Sequence, residues 1–294
     1  MEANAPAASA YHSGMASPEP HPPAGKAVIL ARGLGTRMRR ADAAAALDPA
    51  QHAAAERGQK VMMPLGEGRP FLDYVLSGLA DAGYSRVCLV IGPEHGAVRD
   101  YYAGPGRPAR IALEFAVQRE PRGTADAVLA AEPFAAGASF LVVNADNIYP
   151  RAALEALRLL PRAGLAGFRR SVLLARGNIP AERILAFALL DVGPDGTLAR
   201  IVEKPDPAAA GPFGEDPLVS MNAWLLPPTI FDAARSIGLS PRGELELVDA
   251  VRYAIERLGE RFPVVVVDDG VLDLSTRGDI PAVIERLRGV VARP

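Results

Sequence analysis

Short apolar runs alternate with amphipathic segments along the chain from Lys26 onward. Apolar runs of about four to eight residues predict strands, and they occupy 27–31, 86–91, 111–117, 140–144, 172–175, 185–190, 219–226 and 263–267. Apolar residues spaced by three and four predict helices over 70–82, 124–132, 151–160, 246–259 and 279–291. Strands that alternate with helices are typical of a mixed, mainly parallel sheet flanked by helices. The pattern therefore predicts the α/β class.

The first 25 residues differ from the rest in composition. Seventeen of them are Ala, Pro, Ser or Gly and only two are charged, which predicts a disordered N-terminal tail over 1–25. No linker divides 26–294, so we expect one domain. The alanine-rich stretch 38–59 is either a mobile flap or a surface helix, and we favour the flap.

Charge and cysteine content exclude several classes of protein. The net charge is −2, with 32 Lys and Arg against 34 Asp and Glu, so we expect neither a nucleic-acid partner nor an anionic membrane. The apolar runs are far shorter than the ~18 residues of a membrane helix. Cys88 is the single cysteine, which excludes intrachain disulfides and makes a reducing cytoplasm the simplest location. It lies in the run 86–91, so we expect a core thiol.

A glycine loop follows the first predicted strand. Gly33 and Gly35 would let bare backbone approach a phosphate, although a tight strand–helix turn also needs such glycines. The loop does not match the dinucleotide-binding motif, because Met38 stands where that motif needs a third glycine. The Gly-Lys-Ser/Thr ending of the P-loop is also absent. The presence of Arg37 favours the phosphate-binding interpretation, because a guanidinium can bind phosphate oxygens through two parallel hydrogen bonds.

The loop belongs to a longer set of motifs. Leu30-Ala-Arg-Gly-Leu-Gly-Thr-Arg-Met38 resembles the signature of the sugar-phosphate nucleotidyltransferases, which usually reads Leu-Ala-Ala-Gly-x-Gly-Thr-Arg-Met or Leu. Further segments resemble that family in the same order: 60–65, 118–125, 143–147, 203–205, 220–223, 243–249 and 272–276. The chain departs from the pattern at Arg32, Gln59, Ala145 and Ser275. The resemblance implies a Rossmann-like sheet of the nucleotide-diphospho-sugar transferase type. It also implies a nucleotide-binding half at about 26–150 and a sugar-phosphate-binding half at about 151–294.

The resemblance also implies a reaction, in which a sugar-1-phosphate oxygen attacks the α-phosphorus of a nucleoside triphosphate and pyrophosphate leaves. The attacking phosphate is already an anion, so no general base is needed, and histidine is scarce: His12 and His21 lie in the tail, His52 in the alanine-rich stretch, and His95 is the only other one. Because the sugar phosphate and the triphosphate are both anions and repel each other, the site needs cations to neutralise their charge and groups that hold them in position. Departures from the motifs keep a second hypothesis open, a catalytically weak homologue that acts as a nucleotide-sugar-binding regulatory subunit.

The motifs assign candidate residues. They imply Arg37, Lys60 and Lys204 for catalysis; Leu30, Ala31, Gly33, Leu34, Gly35, Thr36, Gln118, Gly123 and Thr124 for the nucleotide; Asn144, Glu203, Asn222 and Glu244 for the sugar; and Asp146 and Asp273 for one Mg²⁺. Each could instead be a surface charge or a structural hydrogen bond.

The nucleotide is predicted from Gln118. Its amide offers a donor and an acceptor side by side, which matches the N3–H and O4 of thymine or uracil and favours dTTP or UTP. The amide could also be rotated to serve cytosine or a purine, or could satisfy a loop carbonyl. The expected partners are thus a nucleoside triphosphate and a sugar-1-phosphate, and a homo-oligomer is compatible with the resemblance.

Overall fold

The computed structural model describes residues 23–33, 35–42 and 45–294. Its strands are β1 (Lys26–Leu30), β2 (Arg86–Ile91), β3 (Ala112–Val117), β4 (Phe140–Asn144), β5 (Asn147–Ile148), β6 (Gly164–Arg169), β7 (Ala188–Val192), β8 (Leu198–Val202), β9 (Leu218–Leu226), β10 (Val264–Val267) and β11 (Leu272–Asp273).

The α-helices are α1 (Thr36–Arg39), α2 (Pro49–Glu56), α3 (Phe71–Asp81), α4 (Gly96–Ala103), α5 (Thr124–Ala130), α6 (Glu132–Ala135), α7 (Arg151–Arg158), α8 (Arg170–Arg176), α9 (Pro207–Ala210), α10 (Ile230–Ser236), α11 (Leu247–Leu258) and α12 (Asp279–Arg286). Short 3₁₀ turns lie at Lys60–Met62, Gly66–Gly68, Ala181–Ala186 and Gly211–Phe213. None of the helices in the described ranges is both long enough and apolar enough to cross a membrane.

One mixed sheet runs through the molecule in the order β10-β6-β9-β4-β1-β2-β3, with β7 beside β9 and β8 beside β7. The neighbours β4, β1, β2 and β3 are all parallel, whereas β9 runs antiparallel to β4 and β6. A parallel strand is covered on both faces, which explains why β1 and β2 are nearly continuous apolar runs. The predicted fold class is confirmed. Both predicted halves contribute strands to this one sheet.

The two faces of the sheet carry separate cores. Ile29 and Leu89 point to the core under α3, α7 and α12, while Val28 and Cys88 point to the core under α5, α10 and α11. Burial raises the pKa of the Cys88 thiol to about 12, as expected for a cysteine in the core.

The predicted strand at 172–175 is wrong, because these residues belong to α8. Four apolar residues are too few to distinguish a strand from a helix by periodicity. The real strand is β6, immediately before α8, and its two glycines weaken the apolar signal. Gly167 is needed there, because a Cβ at that position would lie 2.9 Å from Cγ1 of Val264 on the neighbouring strand.

Other boundaries shift less. The stretch 185–190 spans the end of a 3₁₀ turn and the start of β7, and the five predicted helices are present with shorter ends. The pattern did not predict α4 or α10. Residues 1–22 of the predicted tail lie outside the described residues, but Ala24 donates to the Arg158 carbonyl and Gly25 accepts from Ser85. Ala24 and Gly25 therefore belong to the folded domain.

Candidate functional site

A cleft of about 420 Å³ opens at the carboxyl ends of β1, β3 and β4. This is where open α/β sheets hold their ligands, and the volume lies in the range of small-molecule sites. Eleven of the predicted site residues line it: Leu30, Ala31, Gly33, Thr36, Lys60, Gln118, Gly123, Thr124, Asn144, Asp146 and Glu244. The structure thus brings residues from five separate motifs to one cavity.

The two glycines of the loop are needed for different reasons. Gly35 has a φ of +62°, and a Cβ there would lie 2.2 Å from the carbonyl oxygen of Gly58. Gly33 has no atom within 4 Å of a built Cβ, so it faces open space. Gly35 therefore serves the close approach of two backbone segments, and Gly33 leaves bare backbone accessible from the cleft. Leu34 lies outside the described residues.

Part of the alanine-rich stretch is the well-formed helix α2. Asp48 and Gln51 form a reciprocal capping box, Pro49 opens the helix, and the Gln51 Nε2 donates to the Pro64 carbonyl. Residues 49–56 therefore fit the helical alternative rather than an irregular flap. The end of α2 carries Gly58 over the glycine loop and leads into Lys60.

Lys60 and Asp146 form the central ion pair of the cleft. The Nζ of Lys60 lies 2.9 Å from Oδ2 of Asp146, and both side chains are partly buried. Lys60 lies on a 3₁₀ turn and Asp146 lies two residues after the end of β4, so the fold joins two motifs that are 86 residues apart. A lysine held in this way is not a solvated surface charge.

Asp273 approaches the same point from the other end of the chain. The pairing of β11 with β5 sets Asp273 opposite Asn147, and the amide of Leu274 donates to the Asp146 carbonyl at 2.9 Å. The Asp273 carboxylate accepts from Asn147 and pairs with Arg183. Burial, and then the charge of Asp146, raise its pKa to about 6.

The two carboxylates suit a hard divalent cation. Among the described residues, no group of three or more histidine, cysteine, aspartate or glutamate side chains could hold a metal ion. Two carboxylates nevertheless match Mg²⁺, which takes most of its remaining ligands from phosphates and water. Asp146 and Asp273 are close enough for one charge to disfavour the other, and a cation bound between them would relieve that repulsion. The donor set therefore fits Mg²⁺.

Gln118 follows β3 and is almost wholly buried at the cleft wall. Its Nε2 donates both to the Gly123 carbonyl at 3.0 Å and to Oδ2 of Asp126 at 2.8 Å. The amide does satisfy a loop carbonyl, one of the alternatives left open by the sequence. Both amide hydrogens are used within the protein, so the group left for a ligand is Oε1, an acceptor.

Gly123 and Thr124 hold the segment that carries Glu244. A Cβ at Gly123, whose φ is +119°, would lie 2.4 Å from the Leu245 carbonyl oxygen. Leu245 exchanges backbone hydrogen bonds with this stretch, and the Leu247 amide donates to Thr124 Oγ1. These contacts bring Glu244 to the rim of the cleft.

Four predicted residues of the sugar and phosphate groups lie outside the lining of the cleft. Lys204 is exposed with its Nζ 3.7 Å from Glu203, and burial raises the pKa of Glu203. Asn222 accepts from the Trp224 indole. Lys204 and Asn222 both have positive φ, at 45° and 56°, a strained conformation that often marks ligand sites. Arg37 is exposed and, within the described ranges, hydrogen-bonds to no side chain.

Two arginines complete the site without a sequence signal. Arg183 bridges Asp273 and Asp279, although it lies 90 residues before Asp273 in the chain. Arg242 pairs with Glu246 and lies 3.8 Å from Glu203. Neither could be found from spacing, because each contact depends on how distant segments meet.

The family described as Nucleotidyl transferase matches residues 52–270, about three quarters of the chain. The chain belongs to the nucleotidyl transferase family. The match includes Lys60, Gln118, Asp146 and Lys204 and begins after the glycine loop.

Individual relatives are more distant. The chain is 26% identical over 231 residues to the low-salt glycan biosynthesis nucleotidyltransferase Agl11 of Haloferax volcanii, covering 79% of this chain and 57% of that protein. It is 28% identical over 239 residues to a glucose-1-phosphate thymidylyltransferase of Streptomyces antibioticus, and this match also covers 79% of this chain and 57% of that protein. The chain thus spans little more than half the length of these relatives.

Solved structures support the fold. The UDP-glucose pyrophosphorylase of Acinetobacter baumannii superposes with a TM-score of 0.65 over 92% of this chain and 95% of that chain, at 19% identity. At this level of identity the likeness concerns the architecture of the nucleotidyl transferase and not its substrates.

Proposed function

We propose that this nucleotidyl transferase joins a nucleoside triphosphate to a sugar-1-phosphate, forming a nucleoside-diphosphate sugar and pyrophosphate. The observation that carries the proposal is the Lys60–Asp146 ion pair, which lies in a cleft between the glycine loop and Gln118. A cation and a carboxylate at the centre of such a cleft suit a reaction between two phosphates, in which positioning and charge neutralisation replace proton transfer.

The triphosphate is assigned to the glycine-loop side. The backbone of Gly33 is accessible there, Thr36 lines the cleft, and Arg37 is exposed and free to bind phosphate oxygens. Lys60 would stabilise the negative charge that builds up as the sugar-phosphate oxygen bonds to the α-phosphorus and pyrophosphate leaves.

Asp146 and Asp273 would hold one Mg²⁺, which would supply positive charge to the phosphate oxygens. Lys60 and Arg183 compensate these two carboxylates within the protein itself. Lys60 would therefore exchange a carboxylate oxygen for a phosphate oxygen when the nucleotide binds.

A uracil or thymine base is assigned to Gln118. The free Oε1 needs a donor, and the N3–H of uracil or thymine supplies one from the ring. N3 of cytosine carries no hydrogen, so cytosine could donate only from its 4-amino group, at a different position on the base edge. A buried acceptor left unpaired costs about 1–3 kcal/mol, which corresponds to roughly tenfold or greater discrimination. We infer a preference for dTTP or UTP over CTP.

The sugar-1-phosphate is assigned to the opposite side. Lys204 would bind its phosphate, while Glu203, Asn222, Asn144 and Glu244 would hydrogen-bond hydroxyl groups. The strained backbone at Lys204 and Asn222 supports this assignment.

A pyrophosphate-release assay with dTTP, UTP, CTP, ATP and GTP against several sugar-1-phosphates tests the proposal. We expect turnover with Mg²⁺, highest kcat/KM for dTTP or UTP, and strong loss in the Lys60→Met variant. If no combination of substrates released pyrophosphate, the result would contradict the proposed activity and favour a regulatory homologue. A clear preference for CTP, ATP or GTP would contradict only the role of Gln118.

A further inference from the structure

Arg32 has a buried donor without a protein partner. Its side chain is only 8% exposed, and Nη1 makes no hydrogen bond. Buried side-chain donors are nearly always paired, and an unpaired one on a cationic group is costly. In the described part of the chain, Arg158 Nε is the only other buried side-chain nitrogen or oxygen without a partner.

The Arg32 side chain lies at the cleft, and its guanidinium is paired with one residue, Glu94. Arg32 lines the cleft, and its Nε lies 3.4 Å from Oε1 of Glu94, a half-exposed residue beyond β2. His95, next to Glu94, lines the same wall and accepts at Nδ1 from the Gly92 amide, and burial lowers its pKa. His95 is therefore neutral near pH 7, and Arg32 is the cationic donor on this wall.

The position favours a base over a phosphate. β2 lies between β1, which leads into Arg32, and β3, which leads into Gln118, so the two side chains flank one end of the cleft. Glu94 offsets the charge of Arg32, and its carboxylate would repel a phosphate group, whereas a neutral carbonyl oxygen meets no such repulsion. The unpaired N–H of Arg32 therefore matches a carbonyl oxygen.

A pyrimidine has its O2 carbonyl next to the ribose. The phosphates must reach the glycine loop after β1, so the ribose and the O2 edge are the parts of the nucleoside nearest that strand. The N3–H, assigned above to Gln118, is the neighbouring group on the ring.

We propose that Arg32 is a further nucleotide-binding residue, which donates from Nη1 to O2 of uracil or thymine. The inference rests on the proposed function. It also gives a reason for an arginine at a signature position where the resembling family usually has a small residue.

Calorimetric titration of the wild-type protein and the Arg32→Met variant tests the contact. The probes are UTP, 2-thio-UTP, whose sulfur is a weaker acceptor than O2, and inorganic triphosphate, which lacks a base. We expect the wild type to bind UTP more tightly than 2-thio-UTP. The variant should bind UTP about ten- to a hundredfold more weakly, as for loss of a hydrogen bond to a charged group, and should no longer distinguish the two nucleotides.

Inorganic triphosphate should bind equally to both proteins. Arg99→Met is the matched control, because Arg99 is an exposed arginine on α4 whose guanidinium packs over the Phe115 ring and does not line the cleft. It should bind all three probes like the wild type. Arg32→Met should not lower the unfolding temperature, since methionine removes the unpaired Nη1 donor and the Glu94 pair is weak.

Equal UTP affinity in both proteins would overturn the assignment, and so would a loss shared by inorganic triphosphate, which would mean a phosphate contact. If the variant fails to fold, the wild-type comparison of UTP with 2-thio-UTP decides alone, and equal affinity for the two refutes the contact. If the wild type binds none of the five nucleoside triphosphates, the proposed function itself fails.

Discussion

Gly35→Ala should destabilise the protein, whereas Gly33→Ala should leave its stability unchanged and weaken nucleotide binding. The two changes add the same methyl group to the same loop. They differ because the Cβ at position 35 would lie 2.2 Å from the Gly58 carbonyl oxygen, while the Cβ at position 33 would meet nothing within 4 Å. The pair therefore separates a structural glycine from one that leaves room for a ligand.

The cost at Gly35 has two parts. Alanine at a φ of +62° is strained by about 1–2 kcal/mol. The Gly58 carbonyl must also move, which weakens its hydrogen bond from the Lys60 amide, worth about 1 kcal/mol. Together these two costs are about 2–3 kcal/mol, which should lower the unfolding midpoint by roughly 4–12 °C.

Thermal unfolding followed by circular dichroism measures the first effect, and calorimetry with UTP measures the second. Gly33→Ala should keep the wild-type midpoint and lose about tenfold in affinity if one backbone–phosphate contact is blocked. A Gly35→Ala midpoint within a degree of the wild type would refute the close approach of Gly58. Wild-type UTP affinity in Gly33→Ala would refute phosphate binding at Gly33.

Asp146→Asn should lower turnover by about a hundredfold or more, because it removes a carboxylate from the phosphate site. The pyrophosphate assay checks this, with Asp191→Asn, a surface residue paired with Arg200, as the control that keeps wild-type turnover; normal turnover of Asp146→Asn at the same Mg²⁺ concentration contradicts the role. Lys204→Ala should raise the KM for sugar-1-phosphate or lower kcat more than it weakens UTP binding, and calorimetry showing the reverse would argue against its assignment. Cys88 should resist a thiol reagent at pH 8 until the protein is unfolded by denaturant, because burial raises the pKa of its thiol; rapid labelling of the native protein would disprove that burial.

Local patterns were sufficient for much of the fold. The parallel strands β1, β2 and β4 and the helices α3 and α11 lie where the apolar spacing predicts them. Each of these elements buries one continuous set of side chains, so the spacing of its apolar residues can be read from a single short stretch of sequence. Where the run was short, as in α8, or contained glycines, as in β6, the same reasoning failed.

Motif order also predicted most of the cleft lining, because parallel strands end at the same edge of the sheet. The sequence by itself therefore determined the fold class and eleven of the residues that meet near that edge. Only the tertiary structure decided how they pair: Lys60 with Asp146, Arg183 with Asp273, and the Gln118 amide turned toward Gly123. It also left Arg32 Nη1 buried without a partner. Hydrogen-bond geometry between segments up to 90 residues apart depends on the packing of the whole domain, and no local spacing encodes it.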